Sequence, residues 1–187
     1  SLALLADAGH NASDVFGLLL AWGAQLLKQR PPTERYTYGF RRSSILAALS
    51  NALILLLVMG GIALEAIERL THPSSVAVET TIAVATVGIL VNGGTAFLFA
   101  RESQDDLNVR GVFWHVTADA LISLKVVLVG ILIATTHWLW LDAVASLIIV
   151  GIVTYSTVQM FYKSLNLALD AVPPSIELSE VRSFFMQ

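Results

Sequence analysis

Three ionisable side chains interrupt an otherwise apolar segment near the start of the chain, LLADAGHNASDVFGLLLAWGAQLL. Asp7, His10 and Asp14 follow one another at intervals of three and four residues. Side chains at these intervals lie on one face of a helix. Histidine nitrogens and aspartate oxygens are ligands for divalent transition-metal ions. The segment therefore predicts a helix that presents half of a metal site.

The second half of the predicted site repeats the same spacing far along the chain. The two pairs are His10 with Asp14 and His115 with Asp119. The chain has only four histidines, and aspartate occupies seven of its 187 positions, so two such pairs are improbable by chance. The other two histidines, His72 and His137, lie in connecting segments and have no aspartate four residues later. Two facing helices would thus present two imidazoles and two carboxylates.

This set of four nitrogen and oxygen ligands suits tetrahedral Zn²⁺. Mg²⁺ and Ca²⁺ prefer more oxygens, and softer ions prefer sulfur. Two carboxylates neutralise one divalent cation, whereas an empty site would leave them in a medium of low dielectric, where proton uptake is favoured. Metal and protons would therefore compete for the same atoms. A single intramembrane His or Asp often only satisfies a neighbouring helix, but the duplication favours the metal site.

Asp7 shares the helical face of His10 and Asp14 but lies nearer the outer end of the segment. Two interpretations stay open for it. It is a proton acceptor or a residue of the exit path, or it is an interfacial carboxylate.

The composition is that of a membrane protein. Hydrophobic residues make up 56% of the chain and charged residues only 13%, against roughly 25% charged residues in soluble domains. The absence of cysteine excludes disulfides and thiolate ligands. The net charge of -3 gives no reason to expect nucleic acid as a partner.

Five segments are long and apolar enough to cross a bilayer, which takes about 20 residues per helix. They cover about 2–27, 43–68, 78–100, 111–136 and 139–163. The sequence therefore predicts an all-α, polytopic transmembrane helix bundle over 1–170. Residues 171–187 are predicted to be a linker, broken by Pro173 and Pro174, and the first helix of a truncated cytoplasmic C-terminal domain, capped by Ser175 or Ser179.

Lysine and arginine gather in alternate connections, which predicts the orientation of the chain. The first connection holds Lys28, Arg30, Arg35, Arg41 and Arg42, the third holds Arg101 and Arg110, and Lys163 and Arg182 lie at or after the last segment. The second connection holds only Arg69, and the fourth holds none. The first and third connections and the tail are therefore predicted to be cytoplasmic. Five spans ending inside would leave Ser1 outside, so a sixth span is expected before it.

Other features have structural interpretations. Lys125 lies mid-span, away from the face of His115, and is predicted to pair with a carboxylate elsewhere. Asp142 opens the last segment, where a carboxylate favours the helix N-terminus. Gly93 and Gly94 are predicted to serve helix packing. Asp105 and Asp106 are predicted to lie in a solvated loop, with attraction of cations as the alternative.

Several stretches of the chain resemble one known family. They are SLALLADAGHNASDV, YTYGFRRSSILAALSNALILL, EAIERLTHP, DDLNVRGVFWHVTADAL and LDAVASLIIVGIV followed by SLNLALDAVP. In this order they are similar to the cation diffusion facilitator family, in its bacterial zinc-transporting branch. The resemblance implies a six-span homodimer of the bacterial inner membrane, with a ferredoxin-like cytoplasmic C-terminal domain. It also implies Zn²⁺ export driven by proton entry.

The resemblance places His10, Asp14, His115 and Asp119 on the family's central transport site. It implies no resident cofactor, with Zn²⁺, and also Cd²⁺ or Co²⁺, as transported substrates. The chain departs from the pattern of many relatives, because RESQDDLNVRG has no histidine-rich stretch and KQRPPTERYTYGFRR offers no histidine for an auxiliary ion.

The sequence thus predicts a Zn²⁺/H⁺ antiporter that works by alternating access, with metal ion, protons and membrane lipid as its partners and no nucleic acid. The alternative from another class is a membrane-embedded metalloenzyme, which would keep an open metal position and supply a general base. A selective channel is a second alternative, but tight binding by four ligands would release the ion too slowly.

Overall fold

Helices account for all the regular structure in residues 1–100, 107–172 and 176–186, which are the residues that the computed structural model describes. They are α1 (Leu2–Lys28), α2 (Ser43–Thr71), α3 (Val78–Phe99), α4 (Leu107–Thr136), α5 (Trp140–Ala168) and α6 (Leu178–Phe185). The prediction of an all-α fold is confirmed. The predicted loop residues Asp105 and Asp106, together with Arg101, Pro173, Pro174 and Ser175, lie outside the described residues.

Four of the helices are long and apolar enough to span a membrane. They are α2, α3, α5 and the part of α4 from Val109 to Thr136. The protein is therefore an integral, multi-pass membrane protein. The first predicted span falls on α1, whose 27 residues give a length of about 40 Å at 1.5 Å per residue. Because α1 carries several polar side chains, it is not among the four helices apolar enough to span a membrane. That α1 crosses the membrane as well therefore stays a prediction.

Two helix pairs and one bridging helix build the bundle. The most extensive contacts are between α3 and α4 and between α2 and α5, while α1 packs against α2 and α5 and also reaches α4. Small residues allow these close approaches, as shown by Ala6 of α1, Ala66 of α2 and Ala143 of α5, all fully or almost fully buried. Helix α1 can therefore present side chains to α4 while it is anchored on the other pair.

Glycine brings α3 and α4 together, but at positions other than those predicted. A Cβ atom on Gly88 would lie 2.9 Å from the Ser123 hydroxyl, and one on Gly130 would lie 2.8 Å from Cγ1 of Ile82. Both distances are too short for a side chain. Gly93 and Gly94 have no such neighbour within 4 Å among the described residues. The described residues thus show no close approach at that pair, and its packing role stays a prediction.

Two long-range contacts of α5 fix its ends. The carboxylate of buried Asp142 accepts hydrogen bonds from the Ser1 hydroxyl and from the Leu2 amide, the latter at 2.8 Å. Asp142 does lie in the first turn of α5, but these hydrogen bonds serve the N-terminus of α1. At the opposite end, Arg42 donates to the Ala168 carbonyl at 3.2 Å and to the Asp170 carboxylate.

The chain after α5 contains one short helix among the described residues. Helix α6 has eight residues and begins after Glu177, which is its N-cap residue. The predicted cap at Ser179 is therefore wrong, because that residue lies inside the helix. The division into a transmembrane domain over 1–170 and a C-terminal segment over 171–187 stays a prediction.

Candidate metal site

The four predicted ligands lie on two neighbouring helices. His10 and Asp14 are one turn apart on α1, and His115 and Asp119 are one turn apart on α4. One ligand atom from each residue lies within 4.8 Å of the ligand atoms of the other three. The structure therefore brings together all four residues that the repeated spacing predicted.

Histidine nitrogens and carboxylate oxygens alternate around this cluster. His10 Nε2 lies 3.7 Å from Asp14 Oδ2 and 3.5 Å from Asp119 Oδ1. His115 Nε2 lies 3.1 Å from Asp14 Oδ2 and 3.6 Å from Asp119 Oδ2. Ligands of a tetrahedral zinc ion, each about 2.0–2.2 Å from the metal, are about 3.3–3.6 Å from one another. The four nitrogen–oxygen distances are thus near this value, and the four ligand atoms as a set, all within 4.8 Å of one another, are close enough to converge on one ion.

The cluster is buried on one side and accessible on the other. Asp119 is buried and His10 half-buried, whereas the His115 side chain is 51% exposed and the Asp14 side chain 33% exposed. His10 Nδ1 is buried and has no hydrogen-bond partner in the part of the chain that is described. The contacts of Nε2 with the two carboxylates therefore hold the His10 ring. An ion would enter or leave past His115 and Asp14.

Asp7 lies one turn from His10 and joins the same two helices at a different level. Its carboxylate accepts a hydrogen bond from the Ser123 hydroxyl of α4 at 2.9 Å and a weaker one from the Asn11 amide at 3.3 Å. Asp7 is 5% exposed and Ser123 is completely buried. This burial disfavours an interfacial carboxylate. Asp7 is not one of the four clustered ligands, and its part in proton movement stays a prediction.

Sequence reasoning did not identify Ser123 as part of this region. The signal was its position four residues after Asp119, which continues the face of α4 that carries His115 and Asp119.

Lys125 is exposed on α4 and has no carboxylate within salt-bridge distance in residues 1–100, 107–172 and 176–186. Its predicted ion pair is therefore absent from the described residues.

Comparison with known proteins identifies the same family that the sequence motifs indicated. The sequence profile of the cation efflux transmembrane domain matches residues 1–167. The chain is 34% identical over 183 residues to a cadmium, cobalt and zinc/H⁺-K⁺ antiporter of Bacillus subtilis, covering 97% of this chain and 59% of that protein. It is 36% identical over 183 residues to the zinc transporter ZitB of Escherichia coli, covering 97% of this chain and 58% of that protein.

A third relative is the metal cation efflux system protein CzcD of Cupriavidus metallidurans, 34% identical over 181 residues, or 97% of this chain and 57% of the relative. The chain thus spans somewhat less than three fifths of the length of these curated relatives. The matched region nevertheless contains α1 to α5 almost completely, including both ligand pairs. The chain therefore belongs to the cation diffusion facilitator family, and the predicted resemblance to its bacterial zinc-transporting branch is confirmed.

Proposed function

We propose that this chain is the membrane part of a transporter that moves Zn²⁺ out of the cytoplasm in exchange for H⁺. The observation that carries the proposal is the cluster formed by His10, Asp14, His115 and Asp119. Two imidazoles and two carboxylates that can converge on one ion favour Zn²⁺, and Cd²⁺ and Co²⁺ are further substrates named for relatives. The metal ion is the transported substrate, and the proposal includes no resident cofactor.

The same geometry favours transport over catalysis. A catalytic zinc site keeps one position open for water or substrate and places a general base beside it. Here four protein ligands would complete a tetrahedral sphere. The carboxylate of Asp7, one turn from His10 on α1, is engaged with Ser123 and Asn11. A membrane-embedded metalloenzyme is therefore the less favoured function.

Exchange with protons follows from the charges of the ligands. With Zn²⁺ bound, two carboxylates balance the charge of the ion, so that the loaded site is close to neutral. Without the ion, the carboxylates would remain in a poorly solvated bundle, and binding protons would lower that cost. Helices α1 and α4 carry one ligand pair each, so rocking of the bundle would open the site to each side in turn.

The intact protein is proposed to be a homodimer with six spans, set in the lipid of a bacterial inner membrane with its C-terminus in the cytoplasm. The charge distribution supports this orientation, because the connection between α1 and α2 carries five basic residues, and that between α2 and α3 carries none beyond the end of α2. The lengths of the relatives support further segments outside 1–187.

The test is Zn²⁺ uptake into vesicles by the full-length protein with an imposed proton gradient. Asp119→Asn keeps the shape of the side chain but removes one negative charge, so bound Zn²⁺ would carry an uncompensated positive charge in low dielectric. We expect uptake to fall to background. The matched control is Glu79→Gln, which removes a carboxylate from the start of α3, outside the cluster. Normal uptake by Asp119→Asn would rule out this cluster as the transport site.

A further inference from the structure

Two cavities adjoin where α1 ends and α2 begins. The larger has a volume of about 630 Å³ and lies between the two helices, with Leu20, Gly23, Leu27, Leu46 and Ala47 among its lining residues. The smaller has a volume of about 430 Å³ and is lined by the connection, from Arg35 to Arg42. Tyr36, Gly39 and Arg42 line both. An apolar cavity along the helices thus continues into a polar one at their ends.

The polar cavity has two arginines with no carboxylate partner among the described residues. Arg35 and Arg41 are both exposed, and the guanidinium of Arg35 lies 5.8 Å from the centre of the Tyr36 ring. Arg42 differs, because it is already paired with Asp170 and the Ala168 carbonyl. Gly39 adopts a φ of +64°, a conformation that lets the connection turn back over the ends of the helices. Two positive charges therefore stand at the mouth of the apolar cavity.

We propose that the two cavities together form a binding site for an anionic phospholipid. The phosphate group would be held by Arg35 and Arg41, since guanidinium groups bind phosphate through paired, charge-assisted hydrogen bonds. An acyl chain would lie in the apolar cavity between α1 and α2. Basic residues directly beside a membrane span attract anionic lipid in general. The apolar cavity leading from these arginines adds a place for one particular lipid molecule.

The shape of the site favours a lipid over other occupants. A free phosphate would use the arginines but leave the apolar cavity without a ligand. A protein segment would have to bring apolar side chains into one cavity and a carboxylate to the arginines of the other. A phospholipid carries an anionic head and an apolar tail in one molecule and so satisfies both cavities. Lipid binding at this site would require only membrane insertion and these residues, so it does not depend on whether the protein transports metal.

Lipid binding to the full-length protein in detergent can be measured by native mass spectrometry. The titrations use dioleoylphosphatidylglycerol, dioleoylphosphatidylcholine and inorganic phosphate. For the unaltered protein we expect tighter binding of the anionic lipid than of the zwitterionic lipid, and no competition by phosphate at equal concentration. For Arg35→Gln with Arg41→Gln we expect the anionic lipid to bind about tenfold more weakly or worse. The matched control is Lys28→Gln with Arg30→Gln, which removes the same charge at the end of α1 and just after it, outside the lining of both cavities, and should keep the preference.

Two further variants test the apolar cavity without changing the charge. Gly23→Leu fills it from α1 and Ala47→Leu fills it from α2, so the proposal is tested even if one variant does not fold. Each should weaken binding of the anionic lipid severalfold while Zn²⁺ uptake persists. Equal loss in the two double variants, Arg35 with Arg41 and Lys28 with Arg30, would mean diffuse charge attraction only. Full binding in both cavity variants would mean that no acyl chain enters. Either result, competition by phosphate, or the absence of any bound lipid would overturn the proposal.

Discussion

Each histidine of the cluster lies close to both carboxylates, so no candidate ligand acts with one partner alone. Nε2 of His10 and of His115 is within 3.7 Å of an oxygen of Asp14 and of Asp119. The composition of the set, two nitrogens and two oxygens, is therefore a property of the whole site. Replacing one ligand changes both the charge and the hardness of the donor set that an ion meets.

Replacing His10 by Asp should change which ions are transported. The variant has one nitrogen and three oxygen ligands and carries one more negative charge. Imidazole favours Zn²⁺, whereas carboxylates tolerate larger, oxygen-preferring ions. We expect Zn²⁺ transport to persist and discrimination against Cd²⁺ and Mn²⁺ to weaken, which competitive uptake of the three ions into vesicles would measure. His72→Asp, in an exposed connection, is the control. An unchanged ion preference in His10→Asp would show that this histidine does not set selectivity.

At the scale of the helices, the repeated spacing predicted that the four side chains come together, and the structure shows this; their role as metal ligands stays a prediction. A period of 3.6 residues fixes which side chains share one face of a helix, and both ligand pairs lie on such faces. The partners of Asp7 and Asp142 were not predicted. Their hydrogen bonds to Ser123, Ser1 and Leu2 depend on how helices rotate and slide against each other. A pattern along one helix contains no information on that rotation, and the same reason explains why Gly88 packs closely and Gly93 does not.

The Asp7–Ser123 hydrogen bond should hold α1 and α4 in the register that aligns the ligand pairs. Ser123→Ala removes the hydroxyl and leaves a buried carboxylate with only the weaker Asn11 contact. We expect it to destabilise the bundle by about 1 kcal/mol and to weaken Zn²⁺ binding, measured by thermal unfolding and by calorimetry in detergent. Ser156→Ala is the matched control, because that hydroxyl bonds only the backbone of its own helix, at Val153. Unaltered Zn²⁺ affinity in Ser123→Ala would leave the hydrogen bond without a role in positioning the ligands.

At the scale of the whole molecule, the orientation in the membrane is still a prediction from charge. The connections before α2 and α4 should face the cytoplasm, and the connection between α2 and α3 should face outside. Single cysteines at Arg35, Arg110 and Pro73 test this directly, since the chain has no native cysteine. An impermeant maleimide added to intact cells should label position 73 and should label positions 35 and 110 only after lysis. Labelling of position 35 in intact cells would reverse the topology.

The exposed side chain of Lys125 leads to a prediction about the neighbours of α4 in the intact protein. Lys125 lies 11 positions before the end of a 30-residue helix, so about 16 Å of helix separates it from that end at 1.5 Å per residue. A lysine at this depth is costly when it faces lipid. Helix α3 packs beside α4, and only 6% of its most apolar stretch is buried. We therefore expect another membrane segment, the proposed sixth span or the partner protomer, to cover this face.

A fluorescent probe at position 125 tests the coverage by quenching from lipids brominated in their acyl chains. If the proposed sixth span covers this face, we expect strong quenching in the chain of residues 1–187 and weak quenching in the full-length protein, whereas weak quenching at both lengths would assign the cover to the partner protomer. A probe at Trp22, exposed on α1, reports whether the two proteins insert equally well into the bilayer. If position 125 is quenched strongly at both lengths, the lysine faces lipid. The Lys125 side chain would then have to reach toward the membrane–water interface to lower the cost of its charge. The exposed face of α4 would give no support for a sixth span.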